Sequence, residues 1–173
     1  LSDEENIGQH PGRVIKVIDG NTLTVMLPES GKLKVLLAGI DAPEKNQAHY
    51  QEAKQALTDK VFTEEVRVEI VSRQNSNTVV GNVILNGEYL SYWMVAEGHA
   101  WVYPEDTDDM ELLELAINAE IEYRGLWALS DTERVPPWEW RLGKRIGSRT
   151  RAVPARAYTC GSKTQCDEMT SCD

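Results

Sequence analysis

Two short acidic clusters early in the chain have the composition of a cation site. Residues 38–44 read AGIDAPE, with Asp41 and Glu44 on either side of Pro43, and residues 17–25 read VIDGNTLTV, with Asp19, Gly20 and Asn21 at a turn. Carboxylate and amide oxygens gathered by two turns are the ligands a hard divalent cation takes. An amide, Asn21, stands where another carboxylate would serve such an ion better. The second turn needs no ion to explain it, because Asp, Gly and Asn are ordinary turn residues. His10, His49 and His99 are isolated and show no ligand spacing.

Strands must position these turns. GRVIKVI (12–18) and NTLTVML (21–27) are β-branched runs joined at Asp19-Gly20, a hairpin signal. KLKVLLAGI (32–40), VRVEIVSR (66–73) and VVGNVIL (79–85) supply three more strands. Residues 49–62 carry helical spacing through Ala53, Leu57 and Val61. EYLSYWMVAEGHA (88–100) predicts a short helix ending near Gly98, and 108–127 a longer one capped by Asp108 or Asp109 and ended by Gly125. Three strands, a helix, two strands and then helices predict a mainly β fold, a small closed five-stranded Greek-key barrel with about three α-helices packed on it. Trp93, Trp101, Trp127, Trp138 and Trp140 suit core and helix packing better than a stacking platform for bases.

The chain's 173 residues, 41% of them apolar, are enough for one compact domain with its own core. No apolar run is long enough to span a membrane. The chain opens at Leu1 without a charged-then-apolar leader, which leaves export undecided by that criterion. The net charge of -10 is unevenly spread. Residues 1–140 carry a balance of -14, whereas residues 141–163 hold seven Lys or Arg, beginning at Arg141, and no acid. An acidic body repels a polyanion, which disfavours nucleic acid as its partner. The basic segment can grip a protein or an anionic polymer, or fold back on the acidic body. Cys160, Cys166 and Cys172 recur every six residues, too widely for paired zinc ligands, and disulfides are the expectation. Disulfides imply an oxidising compartment, hence a periplasmic or secreted protein.

IDGNTL, LLAGIDAPE, GNVILNGEYLSYWMVAEGHAWVY, YRGLW and PPWEWR, in that order, resemble the staphylococcal nuclease (thermonuclease) family over about residues 12–141. The resemblance implies three segments: an N-terminal arm at 1–11, a nuclease-like OB-fold barrel at 12–141, and a basic, cysteine-containing tail at 142–173 like those of some bacterial secreted members. It also implies calcium-dependent hydrolysis of DNA and RNA phosphodiesters. Such chemistry uses carboxylates on one calcium, a glutamate as general base, and two arginines whose planar forks bind the phosphate. Carried over residue by residue, Asp41 is a metal carboxylate, the Ala42 carbonyl the adjacent ligand, Glu44 the base and Asp19 an outer acid.

The departures are equally specific. Asn21 replaces the second metal carboxylate, which weakens calcium binding because ligand charge sets affinity. Leu36 and Thr78 occupy the positions of the two arginines. Losing one donor to a transition-state oxyanion costs about 2.7 to 4 kcal/mol, and losing both on the order of 10⁴-fold in rate. Lys34, on the strand face of Leu36, and Arg73, at the entry to the QNSNT loop, are candidate substitutes, although a lysine lacks the fork. The expectation is a binding module on a degenerate nuclease barrel. The alternative is a slow or altered calcium-dependent endonuclease still using Asp41 and Glu44. Lys34, Arg73 or a tail arginine brought within bonding range of a phosphate above those two acids would overturn the degenerate reading in favour of the alternative.

Overall fold

The computed structural model describes residues 8–105 and 108–147. Strand β1 (Gln9–Asp19) turns at Gly20-Asn21 into β2 (Thr22–Leu27), which pairs antiparallel with β3 (Gly31–Leu37). A two-residue strand β4 (Ile40–Asp41) precedes helix α1 (Tyr50–Val61). Strands β5 (Glu65–Asn75) and β6 (Thr78–Leu85) follow, and the sheet runs β3-β2-β1-β5-β6. Parallel pairing of β3 with β6, from Lys34 opposite Thr78 to Leu37 opposite Gly81, closes it into a five-stranded barrel with packed helices. Its interior is filled by alternate residues such as Val14, Leu23, Val25, Val35, Val68, Val79 and Val83, all fully buried.

The remaining elements cover one side of that barrel. Asn86 and Gly87, both at positive φ, turn β6 into the short β7 (Glu88–Tyr89), the geometry of a type I′ hairpin. Helix α2 (Leu90–Ala96) is shorter than the 88–100 segment predicted for it. Strand β8 (Trp101–Val102) then pairs antiparallel with β4, which places Asp41 opposite Trp101. Helix α3 (Met110–Ile121) is capped by Asp109, whose carboxylate accepts from the Leu112 amide at 3.0 Å. Gly125 opens a 3₁₀ turn, Gly125–Ala128, rather than closing that helix.

Two features extend the sequence expectation. Strand β1 begins at Gln9, ahead of residue 12, because Gln9–Gly12 pair with Val66–Glu69. A fourth helix, α4 (Pro137–Arg141), covers part of the PPWEWR motif, with Pro137 at its first turn. The cysteines and all of the basic segment beyond residue 147 lie outside the described residues.

Candidate functional site

A cleft of about 420 Å³ opens between the end of the β1–β2 hairpin, the β3–β6 seam and the loop around Asp41. Asp19, Asn21, Asp41 and Glu44 line it together with Leu36, Gln74, Val80, Tyr103 and Arg141. The fold thus gathers the two acidic turns that lie twenty residues apart in the chain. Gly20 makes this possible: a methyl group added there would meet the methyls of Ala42 and Ala53, so the hairpin turn sits directly against the Asp41 loop and α1. Gly39, at φ +77, supplies the left-handed residue that bends β3 into β4.

The polar groups are largely committed to one another. Asp19 Oδ1 accepts from the Asn21 amide at 3.0 Å, and Asn21 Nδ2 points to the Ile40 carbonyl at 3.4 Å. Glu44 N donates to Gln47 Oε1 at 2.8 Å, and the Gln47 amide donates to the Val135 carbonyl. Arg141 reaches back from α4, 100 residues beyond Asp41 in the chain, and spreads its fork over both acids. Nη2 bonds Asp41 Oδ2 at 2.7 Å, and Nη1 bonds Glu44 Oε1 at 2.6 Å and Asp41 Oδ1 at 3.3 Å.

The electrostatics follow from burial. Asp41 is 7% exposed, and that burial pushes its carboxyl above the ordinary range, with Arg141 pulling it back in part. The same contacts raise the Arg141 guanidinium above its usual value. A carboxylate so deeply placed needs a cation beside it, and here the chain provides one.

An aromatic stack positions that cation. Trp101, opposite Asp41 in the β4–β8 ladder, packs edge-on against Trp127 at 4.5 Å and Trp138 at 6.0 Å between ring centroids. Tyr103 meets Trp138 at 6.0 Å as well. Trp138 lies three residues before Arg141 on α4, so the aromatics that seat the helix also aim its arginine.

In the sequence Arg141 is the last residue of PPWEWR and the first of a basic run, and nothing local ties it to residues 41 and 44. The residues singled out as substitutes lie elsewhere. Lys34 is exposed on the outer face of β3, and Arg73 is exposed on β5; neither lines the cleft, nor does Thr78. A register shift between Arg73 and Asn75 lies at Gln74, which does line it. Leu36 faces the cleft and, with Val80, makes that wall largely apolar.

A second pairing was invisible in the sequence. His49, just before α1, and His99, just before Ala100 and β8, stack at 5.2 Å with Nε2 to Nδ1 at 2.9 Å. Burial, followed by the neighbouring His99, lowers His49 to about 4, and burial lowers His99 as well.

A closed barrel with acids at the hairpin end of its seam is matched by the family model for staphylococcal nuclease homologues, over residues 34–129. The chain belongs to that family. It is 35% identical over 134 residues to an uncharacterized endonuclease of Haemophilus influenzae, covering 78% of this chain and 74% of that one. An uncharacterized endonuclease of Escherichia coli is 37% identical over 135 residues, 77% of this chain and 86% of the relative. A micrococcal nuclease of Shigella flexneri is 33% identical over 145 residues, 78% and 82% of the two chains. A nuclease-family role, with the nucleic-acid contact it allows, is therefore supported by homology along most of the chain.

As arranged here, the donor set is a poor fit to a calcium ion. Such an ion takes six to eight oxygens, typically with several carboxylates. Here both oxygens of Asp41 are bonded to Arg141, Asp19 is tied to its own turn, and position 21 is an amide. Among the described residues no group of three His, Cys, Asp or Glu side chains converges to hold a metal. No helix among them is long and apolar enough to cross a membrane.

Proposed function

We propose that this chain is a staphylococcal-nuclease-family barrel whose hydrolytic site is degenerate and which acts mainly as a binding module. The observation that supports this reading is the seam wall of the cleft, where Leu36, at the position of one phosphate-binding fork, faces the acids beside Val80, and Thr78, at the position of the other, does not line the cleft at all. Family chemistry is generally calcium-dependent, and the replacement of a metal carboxylate by Asn21 weakens any such site. We assign the barrel to about residues 12–141, with β1 extending it back to Gln9, an N-terminal arm before that strand, and to residues 142–173 a basic tail that engages a protein or anionic polymer. We also place the protein in the periplasm or outside the cell, with disulfides among its three cysteines.

The test is prolonged incubation of the purified protein with single-stranded DNA and with RNA in calcium, with Glu44→Ala as the contamination control. Unchanged substrate in both samples is expected. Glu44-dependent products formed as fast as by an ordinary family nuclease would overturn the reading. The alternative, a slow or altered endonuclease using Asp41 and Glu44, is favoured by one specific observation. Arg141 brings a guanidinium into the cleft, and a substrate phosphate competing for its fork would find one of the two missing donors there.

A further inference from the structure

We propose that Arg141 is the resident cation of this cleft, standing where family members hold a divalent ion, so that the folded domain completes its acidic site without metal and excludes calcium from it. This deepens the reading above, since both turn on the same two carboxylates. At 7% exposure a charged Asp41 without a partner is penalised, and the guanidinium offsets that penalty with hydrogen bonds to both carboxylate oxygens, at 2.7 and 3.3 Å. Glu44 completes the contact through Nη1, so one fork spans both acids.

Three independent features aim the side chain. The β4–β8 ladder fixes Asp41 against Trp101; Trp101 and Tyr103 hold Trp138 of α4; and Gln47 ties the Glu44 loop to Val135, just before that helix. The arginine is therefore delivered by packed structure, although its own side chain is 45% exposed and can be displaced. A calcium ion entering the cleft would have to remove a positive charge already bonded to its principal carboxylate. That competition opposes binding independently of the missing acid at position 21.

The experiment is calcium titration by calorimetry, with thermal melting in calcium and in EDTA, on wild type, Arg141→Gln, Arg141→Lys and Arg141→Gln/Asp41→Asn. Wild type is expected to give no binding heat at millimolar calcium and the same melting temperature in both buffers. Arg141→Gln should melt lower in EDTA and regain stability in calcium, with affinity at least about tenfold above wild type, since a like charge beside the site has gone. Arg141→Lys keeps the charge and should remain insensitive to calcium. The double variant should lose what Arg141→Gln gained.

Saturable calcium binding by wild type, or an Arg141→Gln protein that is folded and equally indifferent to calcium, would overturn the assignment. If Arg141→Gln unfolds in EDTA, recovery of its circular dichroism in calcium supports the assignment, and no recovery overturns it. Failures of the two readings separate cleanly. Glu44-dependent cleavage by wild type at the rate of an ordinary family nuclease sinks the binding-module reading, whereas calcium heat in wild type, measured without nucleic acid, sinks this one.

Discussion

The two walls of the cleft differ in character. The wall built by the Asp41 loop, β8 and α4 is polar, cross-braced and supplied with its own cation. The wall built by the β3–β6 seam presents Leu36 and Val80, with Gln74 as its polar member. Packing explains the asymmetry. The backbone of the seam is needed to close the barrel, through Leu36 opposite Val80, whatever its outward side chains do. The acidic wall cannot relax so freely, because a buried carboxylate left without a partner is penalised. The acidic wall is thus constrained by electrostatics, whereas the seam wall is constrained only by its backbone pairing.

The largest effect should come from rebuilding the depleted wall. Leu36→Arg and Thr78→Arg, combined with Asn21→Asp and made in an Arg141→Gln background that frees the acids for calcium, should raise calcium-dependent cleavage of single-stranded DNA by roughly 10²-fold or more, as each added fork is worth about 2.7 to 4 kcal/mol to the transition state. Leu36→Arg should account for more of the gain than Thr78→Arg, because position 36 already faces the cleft. A combined variant that folds as wild type does and cleaves no faster would mean that the walls differ by more than missing guanidinium groups.

On the braced wall, Trp138→Ala should cost about 2 to 4 kcal/mol in denaturant unfolding, somewhat below the cost of truncating a core aromatic because the ring is only partly buried. Its more telling consequence is on Arg141, which loses the packing that aims it. The variant should therefore acquire part of the calcium response of Arg141→Gln although no charge has changed. Retained calcium indifference would show that α4 is held chiefly by Gln47 and Val135.

The barrel is legible in the sequence because its signals are local. Alternation in Val66, Val68 and Ile70, β-branched runs on either side of Asp19-Gly20, and helical spacing through Ala53, Leu57 and Val61 each fix an element within about a dozen residues. The site is legible only where it is local too, in the two acidic turns. Arg141 escapes because its partners are 97 and 100 residues away, and α4, at five residues, is too short to show a period. His49 and His99 escape for the same reason, 50 residues apart on segments that meet only after β4 and β8 pair.

That histidine pair offers a milder way to loosen the braced wall. Burial holds His49 at about 4, below its ordinary 6.5, so the fold prefers the neutral ring while the unfolded chain accepts a proton at higher pH. The stabilising contribution is therefore complete above about pH 6.5 and is lost as pH falls toward 4. Glu52 opposes the shift at both rings and Glu97 at His99, so the effect is moderated rather than abolished. Melting temperature should fall more steeply across that window in wild type than in His49→Gln, and parallel curves would remove the pair from the bracing.

The smallest effect is expected from the two cations that the sequence nominates and the fold keeps outside. Lys34 stands exposed opposite Thr24 and Thr78, and Arg73 lies beside the bulged Gln74 without lining the cleft. Replacing both by alanine should change affinity for a short single-stranded DNA by less than about twofold and leave the salt slope unchanged, since a true phosphate contact would lower that slope by about one. Fluorescence anisotropy at several salt concentrations decides the matter. A loss confined to low salt would reflect only the general field of two exposed charges. A reduced slope would instead mean that bound nucleic acid crosses the seam, and that the apolar wall is the floor of a wider groove.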